Sequence, residues 1–154
     1  MALQTVTTMD DKTISKLQDL IAENIDSSKG LAAAAEQIET PTTASVLRRI
    51  AQDRSMQAVE LQKFVKFNRE EPEDDGTFVG TLRRKWMAFR STLNGGDERV
   101  VLIEAERFED HIRDLYEDVL KKTAGSPVND VLQRQHAAVK RQHDQVKALR
   151  DAAA

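Results

Sequence analysis

Apolar residues recur along this chain at alternating steps of three and four, the spacing that keeps one face of an α-helix together, yet every seam is interrupted in its middle by polar side chains. The first seam is Ile14, Leu17, Ile21, Asn24, Ser28, Leu31, Ala35 and Ile38, and the second Leu47, Ile50, Arg54, Gln57, Leu61 and Phe64. A third, broader face carries Val101, Leu102, Ala105, Phe108, Glu109, Ile112, Leu115, Tyr116 and Val119. The last seam is Leu132, Gln135, Val139, Gln142, Val146 and Leu149, with His136 and His143 one step aside. Asn24, Ser28, Arg54, Gln57, Glu109, Gln135, Gln142 and His143 therefore stand where a plain helical bundle has leucine or alanine. A buried polar atom without a partner costs roughly 1–3 kcal/mol, so these positions predict a hydrogen-bonded network, a metal site or the remnant of one.

Punctuation residues place the ends of these helices. Asp10 or Asp11 is suited to cap the first, since a short side-chain oxygen satisfies the free N–H groups of a first turn. Thr40-Pro41-Thr42-Thr43 ends the first helix and starts the second, which is expected from about Ala44 to Asn68, with proline in the first turn and threonine as the cap. Asn94-Gly95-Gly96 stops a segment, Asp97 and Glu98 begin the next helix in the favourable dipole sense, Ala124-Gly125 ends it and Ser126-Pro127 opens the last. Both hairpin loops are short, so each pair of helices is expected to be antiparallel. Counted from the turns, Asp26 falls level with Gln57, Ser28 with Ser55, and Glu106 with His143.

The two hairpins are joined by about 30 residues, far more than an up-down-up-down bundle needs. They begin with a solvated run, Arg69-Glu70-Glu71-Pro72-Glu73-Asp74-Asp75-Gly76, after which Thr77 is placed to cap a helix with the stripe Phe78, Leu82, Trp86, Phe89 and Leu93. One long connection along the bundle is the ferritin-like solution. The expected fold is thus all-α, a ferritin-like antiparallel four-helix bundle with a short crossover helix between the second and third long helices, covering residues 10–152 as one domain behind a flexible N-terminus at residues 1–9. The stripe predicts that Trp86 is buried as cover for the core.

Composition narrows the chemistry. With 154 residues and 40% apolar content the chain can bury a core without staples. The absence of cysteine excludes disulfides, thiolate zinc sites, iron–sulfur clusters and thiol nucleophiles, and suits a reducing cytoplasm. Met1 to Thr8 carry neither a basic run nor a signal-like apolar core, and no stretch approaches a membrane span, so a soluble cytoplasmic protein is expected. The net charge of −3 comes from interspersed acids and bases, which gives no overall field in favour of nucleic acid or an anionic membrane.

Several stretches together carry a likeness to a known family: Glu71-Pro72-Glu73-Asp74, Leu82 to Trp86-Met87, Gly95-Gly96-Asp97, Glu104-Ala105-Glu106-Arg107 with Glu109-Asp110, Tyr116, and the tail from Gln135 through His143-Asp144 to Leu149-Arg150-Asp151. From about Ile14 to Asp151 the chain resembles an uncharacterised bacterial family of ferritin-like four-helix bundles, a domain of unknown function. The resemblance implies the fold and lends no activity. Phe108 stands where that family usually has a small residue, and His136 where it has an aliphatic one.

A ferritin-like di-iron site needs a carboxylate from each of two helices and a Glu-x-x-His pair from each of the other two. No Glu-x-x-His occurs: three residues before His111, His136 and His143 stand Phe108, Gln133 and Lys140. Arg54, a permanent cation at a core position, also opposes two divalent ions there. No cofactor and no metal are therefore expected. The alternative is one iron or manganese ion held by Glu106, Glu109 and His143, joined by Asp110 or Glu60. The structural reading pairs Glu109 and His143 with Arg54, Gln57 and Tyr116, fixing helix register. His111, among charged neighbours, reads as solvated. Arg83-Arg84-Lys85 with Arg90 forms a basic cluster on the crossover, a solvated face or, in a weaker reading, the contact of a nucleoid-associated protein. With no Gly-x-Ser-x-Gly elbow and no phosphate-binding glycine loop, the expectation is a non-catalytic structural or protein-interaction module that self-associates.

Overall fold

The computed structural model describes residues 9–68, Pro72 and residues 97–153. Among these residues the secondary structure is four α-helices and no strand: α1 (Asp11–Glu36), α2 (Pro41–Phe67), α3 (Glu98–Lys122) and α4 (Asn129–Ala152). The four seams are these four helices. The expected crossover helix with Trp86, its cap Thr77 and the basic cluster at Arg83, Arg84, Lys85 and Arg90 lie outside the described residues.

Local chemistry explains the helix ends. Asp10 caps α1, accepting from Thr13 N at 2.7 Å, and this backbone hydrogen bond holds its carboxyl below the ordinary range. Met9, just before the cap, packs on the same apolar cluster as Ile14, the arrangement of a hydrophobic staple. Pro41 starts α2 as its first residue, three positions earlier than Ala44, because proline's fixed φ suits that site. Thr40 makes no side-chain cap of its own. Its N–H and Oγ1 instead donate to Glu98 Oε1 at 2.7 Å and Oε2 at 2.9 Å, so the first residue of α3 ties the start of α2 to the start of α3.

Between α3 and α4 the chain turns later than the proline suggests. Thr123 N and Oγ1 both donate to Val119 O, Gly125 adopts φ +85°, and Asn129 N donates to Ser126 O. Pro127 is spent inside this tight turn rather than in the first turn of a helix, and α4 begins at Asn129.

The core is divided. One apolar cluster joins late residues of α1 (Leu31, Ala34, Ala35), early residues of α2 (Ala44, Leu47, Ile50), early residues of α3 (Val101, Leu102, Ala105) and Val146 near the end of α4. The other joins early α1 (Ile14, Leu17, Ile21), late α2 (Ala58, Leu61, Val65), late α3 (Ile112, Tyr116, Val119) and early α4 (Leu132, Val139). Each fully buried aliphatic side chain contributes about 1.5–3 kcal/mol. Helix α1 packs against both α2 and α3, and α3 against α4, whereas the backbones of α2 and α4 approach closely at few positions. Between the two clusters lies the polar layer.

Candidate functional site: a buried polar layer and a carboxylate–histidine cluster

Arg54 is the largest fully buried side chain of the described residues and stands at the middle of α2, with no exposed surface. Its Nη2 donates to Glu109 Oε2 on α3 and its Nη1 to Gln142 Oε1 on α4. Gln142 in turn donates from Nε2 to Asp53 Oδ2 at 2.6 Å. Three helices are thereby registered on one guanidinium. Glu109 is equally buried, and removing one partner of such a pair strands a charge at a cost of about 3–5 kcal/mol. Satisfaction is incomplete: Arg54 Nε, Glu109 Oε1 and Gln57 Oε1 have no hydrogen-bond partner among the described residues.

A second chain of hydrogen bonds crosses the layer beside the first. Asn24 Nδ2 donates to Leu20 O at 2.9 Å and to Tyr116 OH at 2.8 Å. The Tyr116 hydroxyl donates to Gln135 Oε1 at 2.7 Å, and Gln135 Nε2 donates to Glu60 Oε1 at 2.7 Å. Arg134 donates to Glu60 Oε2 at 2.6 Å and carries the chain to the surface. Burial holds the Tyr116 hydroxyl above its ordinary range. Burial also works against the Glu60 carboxylate, but the hydrogen bonds from Arg134 and Gln135 outweigh it and keep that carboxyl below its ordinary range. Ser28 donates to Ala51 O at 2.7 Å. Ser55, expected level with Ser28, is exposed: the height is right to within a turn, but Ser55 faces outward.

The layer also contains an acid the seams did not reveal. Glu23 on α1 is 1% exposed, its carboxyl oxygens make no hydrogen bond among the described residues, and His111 Nε2 lies 3.5 Å from Oε1. Burial, reinforced by the negative charges of Asp26 and Glu109, pushes its carboxyl up to about 8.

The other constellation lies on the α3–α4 seam. Glu106 and Asp110, one turn apart on α3, meet His143 of α4, with one ligand atom from each inside a 4.8 Å span. His143 Nε2 contacts Asp110 Oδ1 and is 3.9 Å from Glu106 Oε1, while Nδ1 is 3.1 Å from Asp144 Oδ1. Two guanidiniums border the group. Arg113 Nη1 is 3.5 Å from both His143 Nε2 and Asp110 Oδ1, and Arg150 Nη1 is paired to Glu106 Oε2.

Of the sequence candidates for a metal, Glu106 and His143 come together, and the third member is Asp110. Glu109, one residue away, turns to Arg54, and Glu60 is taken up by Gln135 and Arg134. In the polar network Arg54, Glu109 and Gln142 form one unit, and Asn24 and Gln135 another through Tyr116. Gln57 contributes its backbone carbonyl to Gln135, at 3.4 Å. His143 bonds to Asp110 and Asp144 rather than to Arg54. His136 pairs with Glu117 at 3.4 Å, and His111 is mostly exposed. Glu23 and Asp53 escaped the sequence reading because both fall beside the seam. The one available signal was width: a helix enclosed by two neighbours buries a broader arc than one seam.

Four helices around a split core with a charged centre define an all-α protein. The chain belongs to the family described as a domain of unknown function (DUF2383), which matches residues 12–122. That match takes in α1, α2 and α3 and stops before α4, the helix that supplies Gln135, Gln142 and His143. No curated protein matches the chain. Among the described residues, no helix is long and apolar enough to cross a membrane.

Proposed function

We propose that this chain is a ferritin-like antiparallel bundle acting as a non-catalytic structural and protein-interaction module, in the cytoplasm of a bacterium, with a second copy of itself as its first partner. The topology is supported by the two apolar clusters, in which the start of α2 meets the start of α3 and the ends of α1 and α4. The start of α3 thus lies at the opposite end of the bundle from the end of α2, the placement that the ferritin-like solution requires.

Arg54 is the observation that carries the functional reading. A ferritin-like oxygen-handling protein fills its centre with carboxylates and histidines for two divalent ions, whereas here a fully buried guanidinium occupies that centre with Glu109 and Gln142 as its acceptors. Such a layer fixes which residues face each other, a role attested for buried polar groups in helical assemblies. Self-association is supported by Met56 and Val59, 68% and 50% exposed and one turn apart on α2. The test is to replace the pair and its acceptor together by apolar residues, Arg54→Met with Glu109→Leu and Gln142→Leu, and to follow folding and sedimentation. A structural layer predicts a folded protein of equal or greater stability with unchanged self-association, which Met56→Glu then abolishes. A wild-type chain that sediments as a monomer at every concentration removes the self-association. A folded triple variant that loses it transfers the role to the layer itself.

A further inference from the structure

We propose that Glu106, Asp110 and His143 bind one divalent first-row transition cation, of the zinc or cobalt class, at the α3–α4 seam, in competition with Arg113 and Arg150 for the two carboxylates. The site is separate from the Arg54 layer, and this inference stands or falls independently of the reading of that layer.

Convergence is the first support. Two carboxylates one helical turn apart and an imidazole from the facing helix point oxygen and nitrogen donors at one locus, inside 4.8 Å. One nitrogen and two oxygens suit zinc, cobalt or iron(II) better than magnesium or calcium, which take oxygen alone. Three protein donors leave a fourth position for water.

Second-sphere geometry adds an independent observation. His143 is 6% exposed, and its Nδ1 lies 3.1 Å from Asp144 Oδ1. That contact places a carboxylate behind Nδ1 while Nε2 faces Asp110 and Glu106. An orienting carboxylate behind the non-ligating nitrogen is the recurrent support of a metal-bound histidine.

The two arginines decide how the site would load. In the present arrangement they supply the positive charge that the two carboxylates require. Each has a second, exposed carboxylate within reach: Arg113 contacts Asp114 Oδ1 at 3.2 Å, and Arg150 contacts Asp151 Oδ1 at 2.8 Å. A dication would take over both carboxylates and displace the proton between His143 Nε2 and Asp110, while each guanidinium keeps the exposed carboxylate it already contacts. Among the described residues Arg54 has no second carboxylate of this kind, and Glu109 stays with it.

The untagged full chain is titrated with Co2+, read by the visible bands of a low-coordinate site, with Zn2+ as competitor and helical circular dichroism as the folding control. The expected result is one saturable equivalent displaced by Zn2+. His143→Gln and Asp110→Asn should each weaken it at least about tenfold and Asp144→Asn by about 10- to 100-fold. Arg113→Gln and Arg150→Gln should tighten it, and His111→Gln should leave it unchanged. Asp110 is half-exposed, so its variant keeps the test decisive if His143→Gln fails to fold. The proposal is overturned by a wild-type chain that takes up no stoichiometric Co2+, by uptake that survives Asp110→Asn, by uptake that follows His111 instead, or by weaker binding when the arginines are removed.

Discussion

Glu109 and Asp110 are neighbours on one helix, each beside an arginine, and their situations are opposite. Glu109 is wholly enclosed and faces Arg54, whose acceptors among the described residues are Glu109 and Gln142. Asp110 sits at the seam edge, half-exposed, beside Arg113, which also has Asp114. The helical turn of about 100° per residue is all that separates them. Equal charge and equal pairing therefore say little about what a carboxylate does. What matters is whether its partner has anywhere else to go: a cation enclosed with one acceptor set fixes structure, and a cation with a second carboxylate leaves the first available for exchange.

The largest effect that this contrast predicts is at the enclosed pair. Arg54→Met should destabilise by about 3–5 kcal/mol in urea unfolding, because Glu109 is left buried and unpaired. Adding Glu109→Gln should recover most of the loss. A single variant costing under about 1 kcal/mol would mean that the centre is wetter than its burial implies, and the contrast would collapse.

Glu23 sharpens the same side. Its folded carboxyl titrates near 8 against an ordinary 4.5, so between those values the unfolded chain has lost a proton that the folded chain keeps. The contribution is fully present below about pH 4.5 and is lost as pH rises toward 8, at about 1.4 kcal/mol of stability per pH unit. Glu23→Gln should remove this slope and stabilise the protein at pH 8 by a few kcal/mol, on the order set by the same linkage. Parallel stability–pH curves for variant and wild type between pH 5 and 8 would show that Glu23 is solvated.

A smaller effect is expected at Tyr116, which is enclosed but neutral. Tyr116→Phe removes the link between Asn24 and Gln135 and should cost about 1–3 kcal/mol by leaving both without that partner. Thermal unfolding with Gln135→Leu as the second arm of a double-mutant cycle should show coupling between the two positions. Independent, additive effects would mean that the relay is a row of separate contacts.

Smallest of all should be Asp110→Asn in metal-free protein, at under about 1 kcal/mol, as for other exposed ion pairs. The comparison with Glu109→Gln, one residue away, is the direct test. Equal losses at the two positions would make partner exchange irrelevant to how these carboxylates behave.

Period, punctuation and polar interruptions were legible along the chain, because each is a local property. Four seams became four helices with Asp10 and Asp97 as caps, since capping and amphipathic spacing act within a few residues. Glu106 stands beside His143, because a short loop between two helices leaves little freedom in their relative height. Helix α4 begins two residues after Pro127, for proline is compatible with a tight turn as well as with a helix start.

What the sequence by itself determined is thus the all-α class, the seams and the presence of a polar middle in every one of them. Tertiary structure decided how that middle is divided. Rotations of a few tens of degrees and heights of a few ångströms settle whether Glu109 or Asp110 joins His143, and neither leaves a trace in spacing along one helix. Only packing of α1 against α2 and α3 could bury Glu23, since enclosure from two sides is a property of three helices together. The same holds for the arginines: their number was plain in the sequence, but which of them keeps a second partner depends on where the surface falls.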